Sequence, residues 1–343
     1  MTQPKLIAIV GPTANGKTSL GIDVAKRFGG EVISVDSRMV YRGMDIGTAK
    51  PEPDANVGVP LVGTLNRIED LFGLNKPFLV EGVPHWGIDL VNPDEEYSAA
   101  QFKEYAEKKI EEILKRGHVP ILVGGTGLWL SAVIDNLDLS STPSDEKLRA
   151  ELEQKSLGDL FHAYKKLDPV GAEHIDRDNK RRVVRALEVS MLTGKPFSEL
   201  QTRGESKYDV LQIGIAVDRE ILNERINDRV DEMIAHELVT EVRSLKEKYA
   251  RLPDRQGCTI ESMTGIGYRH VCKFLEGQSS LKDAIEEIKK DTRHYAKRQM
   301  TWFSGGAGSG SAGKRGVKIQ WVMNSKNAID LIEMFLKEKT PQK

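Results

Sequence analysis

Eight residues near the start of the chain have the types and the spacing of a loop that binds phosphate groups. The pattern is Gly-x-x-x-x-Gly-Lys-Ser/Thr, the P-loop, and the residues that fit it are Gly11, Pro12, Thr13, Ala14, Asn15, Gly16, Lys17 and Thr18. In such a loop, backbone N–H groups turn towards phosphate oxygens and a lysine neutralises part of the phosphate charge. The motif therefore predicts a site for a di- or triphosphate, with Mg²⁺ as the cofactor and the hydroxyl of Thr18 as its protein ligand.

The residues around this loop predict the elements that must hold it. Residues 6–10 are typical of a buried strand, residues 18–28 of a helix and residues 31–36 of a second strand, which together form a βαβ unit. A third buried strand is predicted at residues 119–123, directly before a run of glycines. Because ligands bind where the strands of an open parallel sheet end, we expect a crevice at these strand ends.

The phosphate loop by itself leaves the reaction open. In ATPases and GTPases an apolar strand ends in an acidic residue that helps to hold Mg²⁺, but the strand at residues 119–123 ends in Gly124 and Gly125. The strand that does end in an acid carries Asp36. This carboxylate could bind Mg²⁺, or it could act as a base towards a substrate beside the loop.

The order of the predicted elements indicates an α/β fold. We interpret it as a P-loop NTPase-like parallel sheet core with a helical insertion domain. Long charged helices replace the alternating pattern in residues 140–208, which we assign to the insertion. Residues 1–139 and 209–343 then form one discontinuous core domain.

Composition excludes several classes of protein. Lysine and arginine total 50 against 51 aspartate and glutamate residues, so nucleic-acid binding would depend on local basic clusters. The apolar runs are far shorter than the ~20 residues that span a bilayer, and no membrane association is expected. Cys258 and Cys272 lack metal-ligand spacing, so we predict two reduced thiols in a cytoplasmic protein.

A segment after the second strand, residues 36–50, has no periodic core pattern but matches a known motif. Its sequence, Asp-Ser-Arg-Met-Val-Tyr-Arg-Gly-Met-Asp-Ile-Gly-Thr-Ala-Lys, resembles the segment that follows the P-loop in tRNA dimethylallyltransferases. Further segments are similar to that family in the same order: residues 97–100, 123–128, 182, 185–189, 267–268, 292–299 and 301–303. The resemblance extends over residues 5–321, and several ordered motifs are far more specific than the P-loop alone.

This resemblance implies an alkyl transfer and not a phosphoryl transfer. In that family the P-loop holds the diphosphate of dimethylallyl diphosphate. The prenyl group goes to N6 of adenosine 37, 3′ of the anticodon, in tRNAs that read codons beginning with U. Carried over to this sequence, Asp36 is the general base. Lys17, Arg219 and a Mg²⁺ ion held through Thr13 or Thr18 offset charge on the leaving diphosphate. Thr126 is expected to contact the target nucleotide.

The resemblance also implies that the chain binds a tRNA anticodon stem-loop. An adenine stacked in that loop cannot reach a crevice, so we expect the base to be flipped out. The predicted tRNA contacts are Asp36, Ser37, Arg38, Met39, Thr126, Arg149, Arg181, Arg182, Val183, Val184 and Arg185. Among them, three arginines share a helix face, because residues three and four apart are neighbours. Tyr295 and Trp302, on a later helix, are instead predicted to pack in the core.

Three other functions remain open at the level of sequence. An adenylate dimethylallyltransferase would share the P-loop and Asp36 but would prenylate a free nucleotide, which needs no basic helical surface. A P-loop kinase or ATPase is disfavoured by the missing acidic residue after residues 119–123. An RNA-binding protein with a merely structural P-loop is disfavoured by the intact Lys17. Residues 51–84 and 305–313 are longer than the corresponding segments of the family, and the sequence assigns them no role. The chain is expected to be a monomer.

Overall fold

The fold is described from a computed structural model of the chain. The described residues are 3–54, 77–139, 143–200, 203–250, 257–305 and 318–338. The two lengthened segments, residues 51–84 and 305–313, therefore lie largely outside the described residues. Among the residues that are described, no helix is both long and apolar enough to cross a membrane.

A seven-stranded sheet lies at the centre of the fold. Its strands in chain order are β1 (Lys5–Val10), β2 (Gly30–Val35), β3 (Phe78–Val80), β4 (Val83–Trp86), β5 (Val119–Gly124), β6 (Asp209–Ile215) and β7 (Gln320–Val322). In space the order is β3-β4-β2-β5-β1-β6-β7, and all neighbours are parallel except β3 and β4. The predicted α/β class is confirmed.

Helices occupy most of the connections between these strands. The α-helices are α1 (Lys17–Phe28), α2 (Ala99–Lys115), α3 (Gly127–Ile134), α4 (Glu146–Glu153), α5 (Leu157–Leu167), α6 (Pro169–His174), α7 (Lys180–Thr193), α8 (Phe197–Leu200), α9 (Arg219–Ala235), α10 (Leu238–Tyr249), α11 (Tyr268–Leu275), α12 (Leu281–Phe303) and α13 (Ser325–Lys337). Two 3₁₀-helices span Gly257–Thr259 and Glu261–Thr264.

The middle of the sheet is covered on both faces. In β1 every residue from position 6 to position 10 is 0% exposed, as expected for a strand between helical layers, which needs no polar face. The register aligns the last residues of three adjacent strands, because Gly124 at the end of β5 pairs with both Val10 of β1 and Val35 of β2. The loops that follow these strands therefore start from one level edge of the sheet.

The chain divides into two compact units. Unit 1 comprises residues 1–130, 208–300 and 317–343, and unit 2 comprises residues 131–207 and 301–316. Unit 2 differs in its bounds from the predicted insertion of residues 140–208, because it begins within α3 and takes in residues from the end of α12 onwards.

One prediction about the cysteines is wrong. Cys258 and Cys272 are joined by a disulfide bond and are not two separate thiols. Their Cα atoms lie 5.9 Å apart, within the range that a disulfide requires. The residues come together because the first 3₁₀-helix and α11 both pack against α10. Nothing in the spacing of the two cysteines along the sequence indicates this proximity.

Unit 2 has a core of its own with a buried charge beside it. Helices α4 to α7 surround Leu160 and Tyr164, which are 0% and 1% exposed. Glu188 on α7 is also 0% exposed. Its carboxylate accepts hydrogen bonds from Arg185 Nη1 at 2.7 Å, the Asp145 N–H at 2.9 Å and Arg149 Nη2 at 3.3 Å. Burial alone would raise the pKa of Glu188, but these hydrogen bonds outweigh it and lower the pKa.

We predict that Glu188→Gln destabilises the chain by about 2 kcal/mol at neutral pH, the usual loss for hydrogen bonds to a charged group. Because the folded-state pKa is depressed, this contribution is present above the unfolded pKa of roughly 4.3 and is lost as the pH falls through the folded value. The measurement is thermal unfolding between pH 3 and pH 7, with the exposed Glu151→Gln as the matched control. Equal losses at pH 3 and pH 7 would contradict the account.

Candidate active site

The loop between β1 and α1 has the backbone shape of a phosphate cradle. Gly11 and Gly16 have φ values of 141° and 88°, and Ala14 has a φ of 62° although it is not glycine. Left-handed residues within such a turn point successive N–H groups to one side, which forms an anion-binding concavity. Gly11 also has no room for a side chain, since a Cβ there would lie 2.2 Å from Asn15 Nδ2. This backbone shape therefore requires glycine at position 11.

The P-loop lysine lies in a charged and partly dry environment. Lys17 Nζ donates a hydrogen bond to the carbonyl oxygen of Pro12 at 2.9 Å. Burial lowers the pKa of Lys17 to about 8, the Asp36 carboxylate opposes that shift, and the Arg229 guanidinium adds to it. Two cations and one carboxylate thus lie within electrostatic reach of one another. A bound diphosphate would supply the negative charge that this cluster lacks.

Arg229 is a site residue that the sequence did not reveal. Its Nη1 lies 3.3 Å from Thr13 Oγ1, and burial lowers the pKa of Arg229, opposed by Glu232 and Asp36. Helix α9 carries this side chain to the P-loop because Leu222 and Ile226 pack against α12 and the loop itself. Arg229 is therefore the arginine that reaches the cradle.

The role predicted for Arg219, the leaving-group arginine, stays a prediction. Arg219 is the first residue of α9 and is exposed. No hydrogen bond or ion pair within the described part of the chain joins it to the P-loop. Ten residues separate Arg219 from Arg229, so the two lie about 80° apart around the helix and about 15 Å apart along its axis. Periodicity alone could not choose between them.

Asp36 follows β2 and is held by the next turn. Its Oδ1 accepts hydrogen bonds from the N–H of Arg38 at 2.8 Å and from that of Met39 at 3.4 Å. The neighbouring Ser37 N–H donates to Thr126 Oγ1 at 3.2 Å. The structure thus brings together the predicted base and the residue predicted to contact the target nucleotide, and it fixes the orientation of the carboxylate.

Tyr295 on α12 joins this group, although the sequence suggested only a core role for it. Its phenol lies close enough to the Thr126 side chain for the two to interact. Burial raises the pKa of Tyr295 to about 12, and the nearby Asp36 carboxylate contributes to the increase. The phenol therefore stays neutral beside Asp36 and Thr126 across the physiological pH range.

One carboxylate of α10 binds the backbone of residues 45–47 in the segment 36–50. Glu241 on α10 accepts hydrogen bonds from three successive N–H groups, those of Asp45 at 2.9 Å, Ile46 at 2.7 Å and Gly47 at 3.2 Å. Tyr268 donates to the same carboxylate at 2.7 Å. These bonds replace secondary structure as the reason why an aperiodic segment holds a defined shape.

The side chain of Arg38 is also engaged within unit 1. Its Nη1 donates to the carbonyl oxygens of Glu261 at 3.1 Å and Ser262 at 3.2 Å in the second 3₁₀-helix. Arg38 was predicted to contact tRNA. The structure gives it the additional task of holding the turn that follows Asp36 against the 3₁₀-helix.

The other predicted tRNA contacts belong to unit 2, and they fall into three groups. Arg181 and Arg182, near the start of α7, are exposed. Arg149 and Arg185 are half-buried and bind the Glu188 carboxylate. Two side chains cannot serve as predicted, because they are buried in the core of unit 2: Val183 and Val184, at 0% and 2% exposure.

Comparison with known proteins decides the family. Residues 75–306 match the family model described as IPP transferase, and residues 4–59 match the model described as isopentenyl transferase. The chain belongs to the IPP transferase family.

Relatives of this family agree over nearly the whole chain. A tRNA dimethylallyltransferase of Acetivibrio thermocellus is 44% identical over 305 residues, which cover 87% of this chain and 88% of that protein. The full-length tRNA isopentenylpyrophosphate transferase of Bacillus halodurans is 37% identical, with a TM-score of 0.63 over 97% of this chain and 96% of that one. A eukaryotic dimethylallyltransferase acting on tRNA is 29% identical, with a TM-score of 0.74 over 98% and 82% of the two chains. The resemblance noted in the sequence is confirmed.

We predict that Arg229→Ala lowers the catalytic efficiency of this IPP transferase by about 100-fold, the usual cost of removing one group that stabilises developing charge. Arg225→Ala is the matched control, since it removes the same side chain from an exposed position of the same helix. We expect it to change kcat/KM less than about threefold. An equal loss in the two variants would contradict the assignment of Arg229 to the cradle.

Proposed function

We propose that the chain transfers a dimethylallyl group from dimethylallyl diphosphate to N6 of adenosine 37 in tRNA, and releases diphosphate. The observation that carries this proposal is the position of Asp36, which lies within electrostatic reach of Lys17 and Arg229. A carboxylate beside a phosphate cradle is suited to removing a proton from an acceptor while the cradle holds the leaving group. The family membership and the names of the relatives support the same reaction.

The reaction needs one bond made, one bond broken and one proton moved. The lone pair of adenine N6 attacks the first carbon of the dimethylallyl group, and the carbon–oxygen bond breaks with its electron pair passing to the diphosphate. The N6 proton goes to Asp36. Because Oδ1 is occupied by the two N–H groups of the next turn, we assign the proton to Oδ2.

Positive charge at the P-loop would stabilise the departing diphosphate. Lys17 and Arg229 are both within reach of the loop, and Thr13 lies beside Arg229. Such groups act most strongly where water is excluded, and the pKa of Lys17, which burial lowers, indicates such an environment. We assign this role to Arg229 in addition to Arg219, for which the sequence predicted it.

Mg²⁺ is compatible with the donor groups at this site. Among the described residues, no group of three or more histidine, cysteine, aspartate or glutamate side chains is placed to hold a metal ion. Mg²⁺ usually needs only one or two protein oxygens when phosphates and water complete its shell, and the exposed Thr18 hydroxyl at the start of α1 suits that role. When bound, the ion would neutralise charge on the leaving diphosphate.

We assign recognition of a tRNA anticodon stem-loop to two sets of residues. Ser37, Met39 and Thr126 border Asp36 and would contact the flipped nucleotide. In unit 2 the exposed Arg181 and Arg182 would contact backbone phosphates. We further propose that one chain acts on one tRNA as a monomer in the cytoplasm.

The decisive experiment offers two acceptors separately. The protein is incubated with Mg²⁺, labelled dimethylallyl diphosphate and either AMP or an unmodified tRNA that reads a codon beginning with U. We expect label only in the tRNA, and none in the same tRNA carrying guanosine at position 37. Label in AMP alone would contradict the proposal and favour an adenylate dimethylallyltransferase.

We also predict that Asp36→Asn lowers the rate of transfer by about 10²- to 10⁴-fold, the usual range for a general base. Asparagine keeps an oxygen that can accept the N–H bonds of the next turn but cannot take the proton. Single-turnover rates and the dissociation constant of dimethylallyl diphosphate are the measurements, with the exposed Asp23→Asn as control. A variant that retains the rate would rule out Asp36 as the base.

A further inference from the structure

Gln299 on α12 has both ends of its side-chain amide engaged at the active site. Its side chain is buried, with 6% exposure. Gln299 Oε1 accepts the Thr13 N–H at 2.8 Å, and Gln299 Nε2 donates to the carbonyl oxygen of Gly125 at 3.0 Å. Gln299 belongs to the segment 292–299, which is similar to the family. Neither that similarity nor the proposed reaction gives this side chain a role.

The two bonds connect loops that no strand pairing holds together. Thr13 lies in the P-loop after β1, and Gly125 lies in the turn after β5. The pairing of these strands ends at Val10 and Gly124, so strand pairing does not join the two loops beyond this point. Gln299 bridges them just past the last pair.

The bridge continues to the predicted base. Thr126 follows Gly125, and its Oγ1 accepts the Ser37 N–H next to Asp36. A chain of contacts therefore runs from Thr13 through Gln299 and the β5 turn to the turn after β2. Its two ends are the cradle for the leaving group and the carboxylate that faces the acceptor.

The Gln299 amide packs closely against Gly125. A Cβ added at Gly125 would lie 2.1 Å from Gln299 Nε2 and 3.0 Å from the Gly11 carbonyl oxygen. Non-bonded carbon and nitrogen atoms cannot approach to 2.1 Å, so any side chain at position 125 would displace the glutamine or the turn. Glycine therefore fits at position 125 beside Gln299, whereas a residue with a side chain does not.

We propose that Gln299 is a positioning residue for the transfer step, an inference that rests on the proposed function. Its amide sets the distance between the diphosphate cradle and the turns that carry Thr126 and Asp36. It touches no reacting atom. Without it, dimethylallyl diphosphate still binds through Lys17 and Arg229, but the acceptor nitrogen is misplaced relative to the carbon that it attacks. A misplacement of about 1 Å costs on the order of 100-fold in rate.

Two substitutions separate positioning from simple packing. Gln299→Met keeps the length of the side chain and loses both hydrogen bonds. Gln299→Glu keeps an oxygen for the Thr13 N–H but places a second oxygen against the Gly125 carbonyl. Gln278→Met is the matched control, because Gln278 is exposed and lies outside the site.

The readouts are the single-turnover rate with saturating tRNA, the dissociation constants of dimethylallyl diphosphate and tRNA, and the midpoint of thermal unfolding. For Gln299→Met and Gln299→Glu we expect the rate to fall between 10- and 100-fold, while the dissociation constant for dimethylallyl diphosphate changes less than about threefold and the midpoint is retained. Rates equal to the wild-type rate would overturn the proposal. So would losses of donor affinity and thermal stability that match the loss of rate.

A double substitution tests the bridge itself. Gly125→Ala should slow the transfer in the presence of Gln299, because the new methyl group collides with the amide. In the Gln299→Ala background that collision disappears, so we expect the double variant to lose less than the product of the two single losses. Losses that multiply would show that the two positions act independently and would overturn the proposal.

Failure of this inference is distinguishable from failure of the proposed function. If the wild-type protein transfers no label to tRNA, the proposed function is wrong. If the wild-type protein transfers label and Gln299→Met does so equally fast, only the positioning role is wrong.

Discussion

The balance of charge at the ends of β1 and β2 governs the rest of the site. Lys17 and Arg229 bring two positive charges to the P-loop, and Asp36 opposes them with one carboxylate. Burial makes this cluster costly, as the lowered pKa values of both cations show. A diphosphate would relieve that cost on binding, and its departure with an added negative charge would be favoured by the same cations. In the proposed reaction the Asp36 carboxylate accepts the proton from the acceptor.

Most of the site residues lie in loops, so the arrangement of the site depends on contacts that hold these loops in place. The sheet aligns the ends of β1, β5 and β2, and beyond them side chains from α10 and α12 fasten the loops. Glu241 binds three N–H groups of residues 45–47, and Gln299 connects the P-loop with the turn after β5. Helices that are distant in sequence thus determine where Asp36 lies relative to the cradle.

Short-range sequence patterns were sufficient to predict part of the fold and of the site. The P-loop, the three central strands and Asp36 follow from short-range spacing, because glycine positions and apolar runs express backbone and burial requirements directly. Arg229 could not be identified from the sequence, since its contact with Thr13 in the P-loop joins residues that are 216 positions apart. The disulfide between Cys258 and Cys272 depends on tertiary packing, which no periodic pattern encodes. Val183 and Val184 lie on the buried face of α7, so helical periodicity could have indicated their burial.

The central claim is that the P-loop holds a leaving group and transfers no phosphoryl group. The most direct test is ³¹P NMR of the complete reaction with dimethylallyl diphosphate, Mg²⁺ and unmodified tRNA, without ATP and with pyrophosphatase shown to be absent. The account predicts one intact inorganic diphosphate for each prenyl group that enters the tRNA. Release of monophosphate, a phosphorylated RNA or a requirement for ATP would contradict it.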